Sequence, residues 1–109
     1  MKKILFLCSQ NRLRSPTAEQ IFSTDDRLDV RSAGLGSDAV YAVSSEDLEW
    51  ADIIFVMEKS HRNKLSKKFK EHIRGKRVVV LNIPDEYEYM DPVLIQLLKA
   101  SVPRHLGTY

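Results

Sequence analysis

The sequence predicts a three-layer α/β/α fold built on a four-stranded parallel sheet in the order 2-1-3-4. Three observations lead there. The segments Lys3–Cys8, Ile53–Met57 and Val78–Leu81 carry almost unbroken apolar runs, the pattern of parallel strands covered on both faces. Amphipathic stretches of helical length separate them, so the connections are right-handed crossovers. A chain of 109 residues supplies one hydrophobic core, so residues 1–109 are read as a single domain.

The elements follow in order. The first strand is Lys3–Cys8. A helix from Pro16 to Thr24 buries Ala18, Ile21 and Phe22, with Ser15-Pro16 as its N-cap and N1 pair. Leu28 to Ser32 alternates apolar and polar residues, as an edge strand with one wet face does. Ser44-Ser45-Glu46-Asp47 reads as a capping box opening a short helix through Leu48 and Trp50, with Trp50 expected to pack under the third strand. After that strand, a helix spanning Lys59 to His72 carries the stripe His61, Leu65, Phe69 and Ile73, and Gly75 ends it. The fourth strand is Val78–Leu81. A last helix runs from Pro92 to about Val102, burying Leu94, Ile95 and Leu98 before Pro103. With the first strand beside the third, the chain reverses its winding at the first strand's carboxyl end, where open α/β sheets bind ligands. Function is therefore sought in Cys8–Ser15.

Composition narrows the classes. At 43% hydrophobic and 29% charged, with four Gly and four Pro, the chain is neither disordered nor collagen-like. Its apolar runs reach five residues, well short of the roughly twenty that cross a bilayer. One cysteine makes neither an intrachain disulfide nor a cysteine-pair metal site, so the expected compartment is the cytoplasm and no metal or cofactor is expected. The net charge of +2 hides a window, Lys59 to Arg77, that holds nine of seventeen basic residues and a single acid. Those charges fall opposite Leu65 and Phe69 on the helix, so a solvated face is the expected reading and nucleic-acid binding is not expected. His61, His72 and His105 lack metal-ligand spacing and read as surface or packing residues.

The loop Cys8-Ser9-Gln10-Asn11-Arg12-Leu13-Arg14-Ser15 joins a buried strand to a helix N-terminus, so the backbone N–H groups of residues 9 to 14 can converge on an anion. A cysteine facing those amides and the positive end of the helix is favoured as thiolate, the nucleophilic form. Six residues on, Arg14 offers a planar fork that takes two phosphoryl oxygens at once. Ser15 can donate to the sulfur, and Asn11 tolerates the left-handed backbone a tight loop needs. A Walker-type loop is excluded, because no Gly-Lys-Ser/Thr occurs.

Cys-x5-Arg-Ser-Pro directly after the first strand, then Ser32-Ala33-Gly34 and Asp91-Pro92, resembles the low-molecular-weight protein tyrosine phosphatase family. The resemblance covers most of the chain. It implies a phosphomonoesterase acting on phosphotyrosine or another aryl phosphate, with Cys8 as nucleophile, Arg14 as phosphate clamp, Ser15 as thiolate partner and Asp91 as general acid. Asp91-Pro92 is equally an N-cap and N1 pair for the last helix, and a carboxylate so engaged is held as an anion. Asp85, Glu86 and Glu88 are alternative acids. The chain departs from the family pattern at Gln10, where glycine is usual, at Leu13, where a second cysteine is common, and at Val93-Leu94, where an aromatic residue is common. The segment Leu35–Val43 is short for the family, so a reduced aryl pocket is expected, with Tyr41, Tyr87 or Tyr89 as replacement walls. A phosphorylated protein or small molecule is the implied partner. The alternative is a non-catalytic phosphoanion-binding module on the same scaffold.

Overall fold

A computed structural model describes residues 2–107. Four strands, β1 (Lys2–Cys8), β2 (Leu28–Gly34), β3 (Ile53–Val56) and β4 (Arg77–Val80), form one sheet in the order β2-β1-β3-β4, and every pairing is parallel. Helices α1 (Arg14–Phe22), α2 (Ser45–Trp50), α3 (Lys59–Lys68) and α4 (Pro92–Ser101) connect and follow them, and a 3-10 turn spans Pro103–His105. Strand order, parallel pairing and layering agree with the sequence reading.

Alternation along β1 divides the interior in two. Ile4, Phe6 and Cys8 face one core with Phe55, Ala18 of α1 and Leu94 and Leu98 of α4. Leu5 and Leu7 face the other with Ile54, Val56, Leu48 of α2 and Leu65 of α3. Phe6 stacks between Phe22 and Phe55, with ring centroids 5.7 and 5.3 Å away. Each such buried side chain contributes about 1.5–3 kcal/mol. The result is a rigid platform whose strand ends converge beside Cys8.

Several element boundaries differ from the sequence reading, each for a local reason. Helix α1 begins at Arg14 after Leu13, with no side-chain cap, because the Ser15 hydroxyl is turned toward Cys8 and Asn11. Strand β2 continues to Gly34, pairing with β1 as far as Cys8. Its Arg31 is less wet than an edge residue: the guanidinium lies 4.2 Å from the Trp50 ring and donates to Asp47 at 3.1 Å. Trp50 thus packs on the second core with Arg31 of the edge strand β2 over its ring. The capping box forms as read, Asp47 N donating to Ser44 Oγ at 3.3 Å and Ser44 N to Asp47 Oδ2 at 3.1 Å. Helix α3 ends at Lys68 rather than His72, and the chain turns through Gly75 at φ 76°. Its basic residues Lys59, Arg62, Lys64, Lys67 and Lys68 are exposed. No helix of the described residues is long and apolar enough to cross a membrane.

Candidate active site

The loop between β1 and α1 is shaped by where its carbonyls go. Cys8 O accepts from Leu35 N at 2.9 Å, Ser9 O from Gly36 N at 2.8 Å and Gln10 O from Val40 N at 3.0 Å. In a trans peptide the carbonyl and the following N–H point opposite ways. Tying these three carbonyls to residues 35–40 therefore turns the amides of Ser9, Gln10 and Asn11 to the inside of the loop. Asn11 completes the bend at φ 55°. The fit beneath is close: a Cβ on Gly34 would stand 2.6 Å from Ala39 Cβ and 2.7 Å from Ser9 O. Gly34→Ala is expected to lower stability by about 1–3 kcal/mol through this overpacking. Urea unfolding measures it, and an unchanged midpoint would show that the loop yields freely.

At the floor of the loop, Cys8 Sγ lies 2.9 Å from Ser15 Oγ and 3.3 Å from the donor Asn11 N. Ser15 Oγ is also 2.9 Å from Asn11 Oδ1. The hydroxyl has one hydrogen to give. With a thiol, S–H donates to Oγ while O–H donates to Asn11 Oδ1; with a thiolate, O–H turns to the sulfur, which then accepts from both Ser15 and Asn11. The rotor follows the charge on Cys8. The N-terminus of α1 adds its positive end to the same side.

Arg14 is 3% exposed. Its Nη1 donates to Glu58 Oε2 and to Ile83 O, each at 2.7 Å, and its Nε is 3.8 Å from Asp85 Oδ1. Both Nη1 hydrogens are taken, so the edge left for a ligand is Nε with Nη2, the parallel pair that matches two oxygens of a phosphoryl group. A cleft of about 500 Å³ opens there, lined by Cys8, Ser9, Gln10, Arg12, Leu13, Arg14 and Asp85. Gln10 turns its amide toward Asp38 Oδ2 at 3.4 Å, and Arg12 and Leu13 stand exposed at the rim.

Asp91 is placed differently. Its carboxylate accepts from Val93 N at 2.8 Å as the N-cap of α4, and it is not among the cleft-lining residues. The chain just before it is fastened to α1: Met90, at φ 61°, donates its N–H to Thr17 Oγ1 at 2.9 Å, and Thr17 Oγ1 donates to Leu13 O at 2.7 Å. Among the described residues no tyrosine walls the cleft. Tyr87 packs on the first core, Tyr89 is exposed, and Tyr41 lines a separate hollow with Asn11, Glu19, Arg31 and Ser32.

Three contributors were missed by the sequence reading, Glu58, His61 and the Ile83 carbonyl, and Asp85 entered it only as an alternative acid. Glu58, Ile83 and Asp85 follow the carboxyl ends of β3 and β4, the same end of the sheet as Cys8, and that shared position is the signal that points to them. His61 is 2% exposed and belongs to the site instead of being a plain packing residue. Its Nε2 is 3.0 Å from Ser9 Oγ and its Nδ1 3.1 Å from Glu58 N. Burial, and after it the Arg14 charge, push His61 below the ordinary histidine range, while Glu58 and Asp85 act the other way. His72, read as a surface or packing residue, has a carboxylate partner, Glu49 at 3.1 Å. Among the described residues no group of three or more His, Cys, Asp or Glu is placed to hold a metal.

No family model matches the chain, and no curated protein matches its sequence. Solved structures do. A YwlE mutant from Bacillus subtilis aligns over 99% of this chain and 100% of its own, with TM-score 0.77 and 20% identity. The tyrosine phosphatase Wzb from Escherichia coli K30, solved with phosphate, covers 95% of each chain with TM-score 0.76 and 24% identity. The low molecular weight protein tyrosine phosphatase of T. tengcongensis covers 92% of each with TM-score 0.70 and 22% identity. The chain therefore has the fold of the low molecular weight protein tyrosine phosphatases.

Proposed function

We propose that this protein is a cysteine-dependent phosphomonoesterase that hydrolyses phosphotyrosine or another aryl phosphate through a phosphocysteine intermediate. The observation that carries the proposal is Cys8 Sγ, within reach of donors on Asn11 and Ser15, sharing one cleft with Arg14. The Cys8 thiolate attacks phosphorus in line as the bond to the leaving oxygen breaks. The loop amides of residues 9 to 14, with those of Ser9, Gln10 and Asn11 turned inward, and the free edge of Arg14 hold the three equatorial oxygens as charge spreads over them. A carboxylic acid protonates the departing oxygen; the same group, now carboxylate, takes a proton from the water that attacks phosphocysteine and releases Cys8. EDTA-resistant hydrolysis of an aryl phosphate tests the proposal, and its absence would leave the anion-binding reading.

The acid is proposed to be Asp91, with Asp85 as its rival. Asp85 gains support from lining the cleft, Asp91 from the family resemblance. Asp91→Asn is expected to slow aryl phosphate hydrolysis at least about tenfold. A smaller loss than that of Asp85→Asn would move the role to Asp85.

A cleft with no aromatic wall among the described residues, and with Asp85 at its rim, also suits a cationic leaving group. Two structural neighbours are named arginine phosphatase. Phosphoarginine therefore belongs beside phosphotyrosine in the substrate panel. Non-catalytic phosphoanion binding is the further reading, favoured by the commitment of the Asp91 carboxylate to its helix cap. It predicts that tungstate raises thermal stability while turnover is absent.

A further inference from the structure

We propose that His61 is a positioning residue that fixes the Ser9 hydroxyl as a donor to the bound phosphoryl group. The inference deepens the phosphatase reading and rests on it.

Backbone N–H groups only donate. The Glu58 N–H lies 3.1 Å from His61 Nδ1, so that nitrogen carries no hydrogen. The neutral ring then holds its single hydrogen on Nε2, which faces Ser9 Oγ at 3.0 Å. In this pair histidine donates and serine accepts. The serine's own hydrogen is left over, and Ser9 Oγ has no second partner among the described residues. Ser9 lines the cleft with Cys8 and Arg14, so the hydroxyl is one side-chain donor beyond the loop amides.

The same logic disposes of a Ser-His-Glu nucleophile. A general base must present a bare nitrogen to serine, with its carboxylate orienting the other nitrogen. Here the nitrogen facing Ser9 is protonated, and Glu58 Oε2 stands 3.8 Å from that same nitrogen. Glu58 orients His61 through its backbone N–H and Arg14 through its carboxylate. One residue thereby sets both the ring and the clamp.

The balance of the groups around the ring keeps it neutral. Arg14 of α1 and Lys64 of α3 oppose a second proton, as does burial, while Glu58 and Asp85 favour one. A proton on Nδ1 would also break the bond from Glu58 N.

Nitrogen-15 NMR of the imidazole in the unaltered protein tests the geometry without any ligand. Protonated Nε2 and bare Nδ1 at neutral pH are expected; the opposite tautomer would overturn the proposal. Calorimetric titration with inorganic phosphate tests the consequence. Ser9→Ala is expected to weaken binding about tenfold, the loss of one hydrogen bond to a charged group, and Ser9→Thr to restore it. His61→Gln is expected to weaken binding in the parent and to add nothing in Ser9→Ala. Equal affinities for parent and Ser9→Ala would overturn the donor role alone. A parent that binds no phosphate would bring down the site reading and the donor role together, whatever the tautomer.

Discussion

Replacing Cys8 with serine is expected to lower aryl phosphate turnover by at least about a thousandfold, the scale on which loss of a nucleophile is felt. A serine hydroxyl stays protonated at neutral pH, and no bare base lies within reach to take its proton: Asn11 N only donates, and Ser15 Oγ is itself a hydroxyl. The rest of the site is untouched by the change. Its carbonyl anchors run to Leu35, Gly36 and Val40, and the Arg14 contacts run to Glu58 and Ile83. Cys8→Ser should therefore still bind inorganic phosphate within a few-fold of the parent. Rates measured with EDTA present, alongside phosphate titrations, check both halves. Undiminished turnover would take the nucleophile away from Cys8.

Arg14→Lys is expected to reduce kcat/KM by about a hundred- to a thousandfold, the range found on removing preorganised charge stabilisation. Lysine has one nitrogen where arginine has three. If the ammonium meets Glu58 and Ile83 O, no fork remains for the phosphoryl oxygens; if it turns to the ligand, Ile83 O loses its 2.7 Å partner. An unsatisfied carbonyl there costs about 1–3 kcal/mol. Steady-state kinetics paired with urea unfolding separates the two outcomes. A change below tenfold would remove Arg14 from the transition state.

The part of the site that could be read in the sequence is the part that is contiguous. Cys8, Asn11, Arg14 and Ser15 belong to one strand-loop-helix passage, where position alone dictates which way amides and side chains face. Glu58 and His61 had no such context, and Asp85 entered only as an alternative acid, because their meaning depends on three strand ends meeting at one edge of the sheet. Ser15 shows the limit on the local side. Its type and place before proline suit an N-cap, yet the pull of the Cys8 and Asn11 side chains puts it inside the helix. The stripe His61, Leu65, Phe69 and Ile73 teaches the same about boundaries. Phe69 and Ile73 pack on the second core from turns beyond α3, so periodicity reported burial correctly and helix length too generously.

The sheet order sets a sequence in time. β1 lies between two strands that both come later in the chain, and its pairing with β3 joins residues about fifty positions apart. During synthesis or refolding its apolar run waits unpartnered until those segments arrive, the interval in which such a strand is prone to aggregate. The Arg14 contact with Ile83 O closes a loop longer still. Cys8 is thus made before its partners Asn11 and Ser15 and enclosed only after the segments that carry Ile83, Leu94 and Leu98 have arrived.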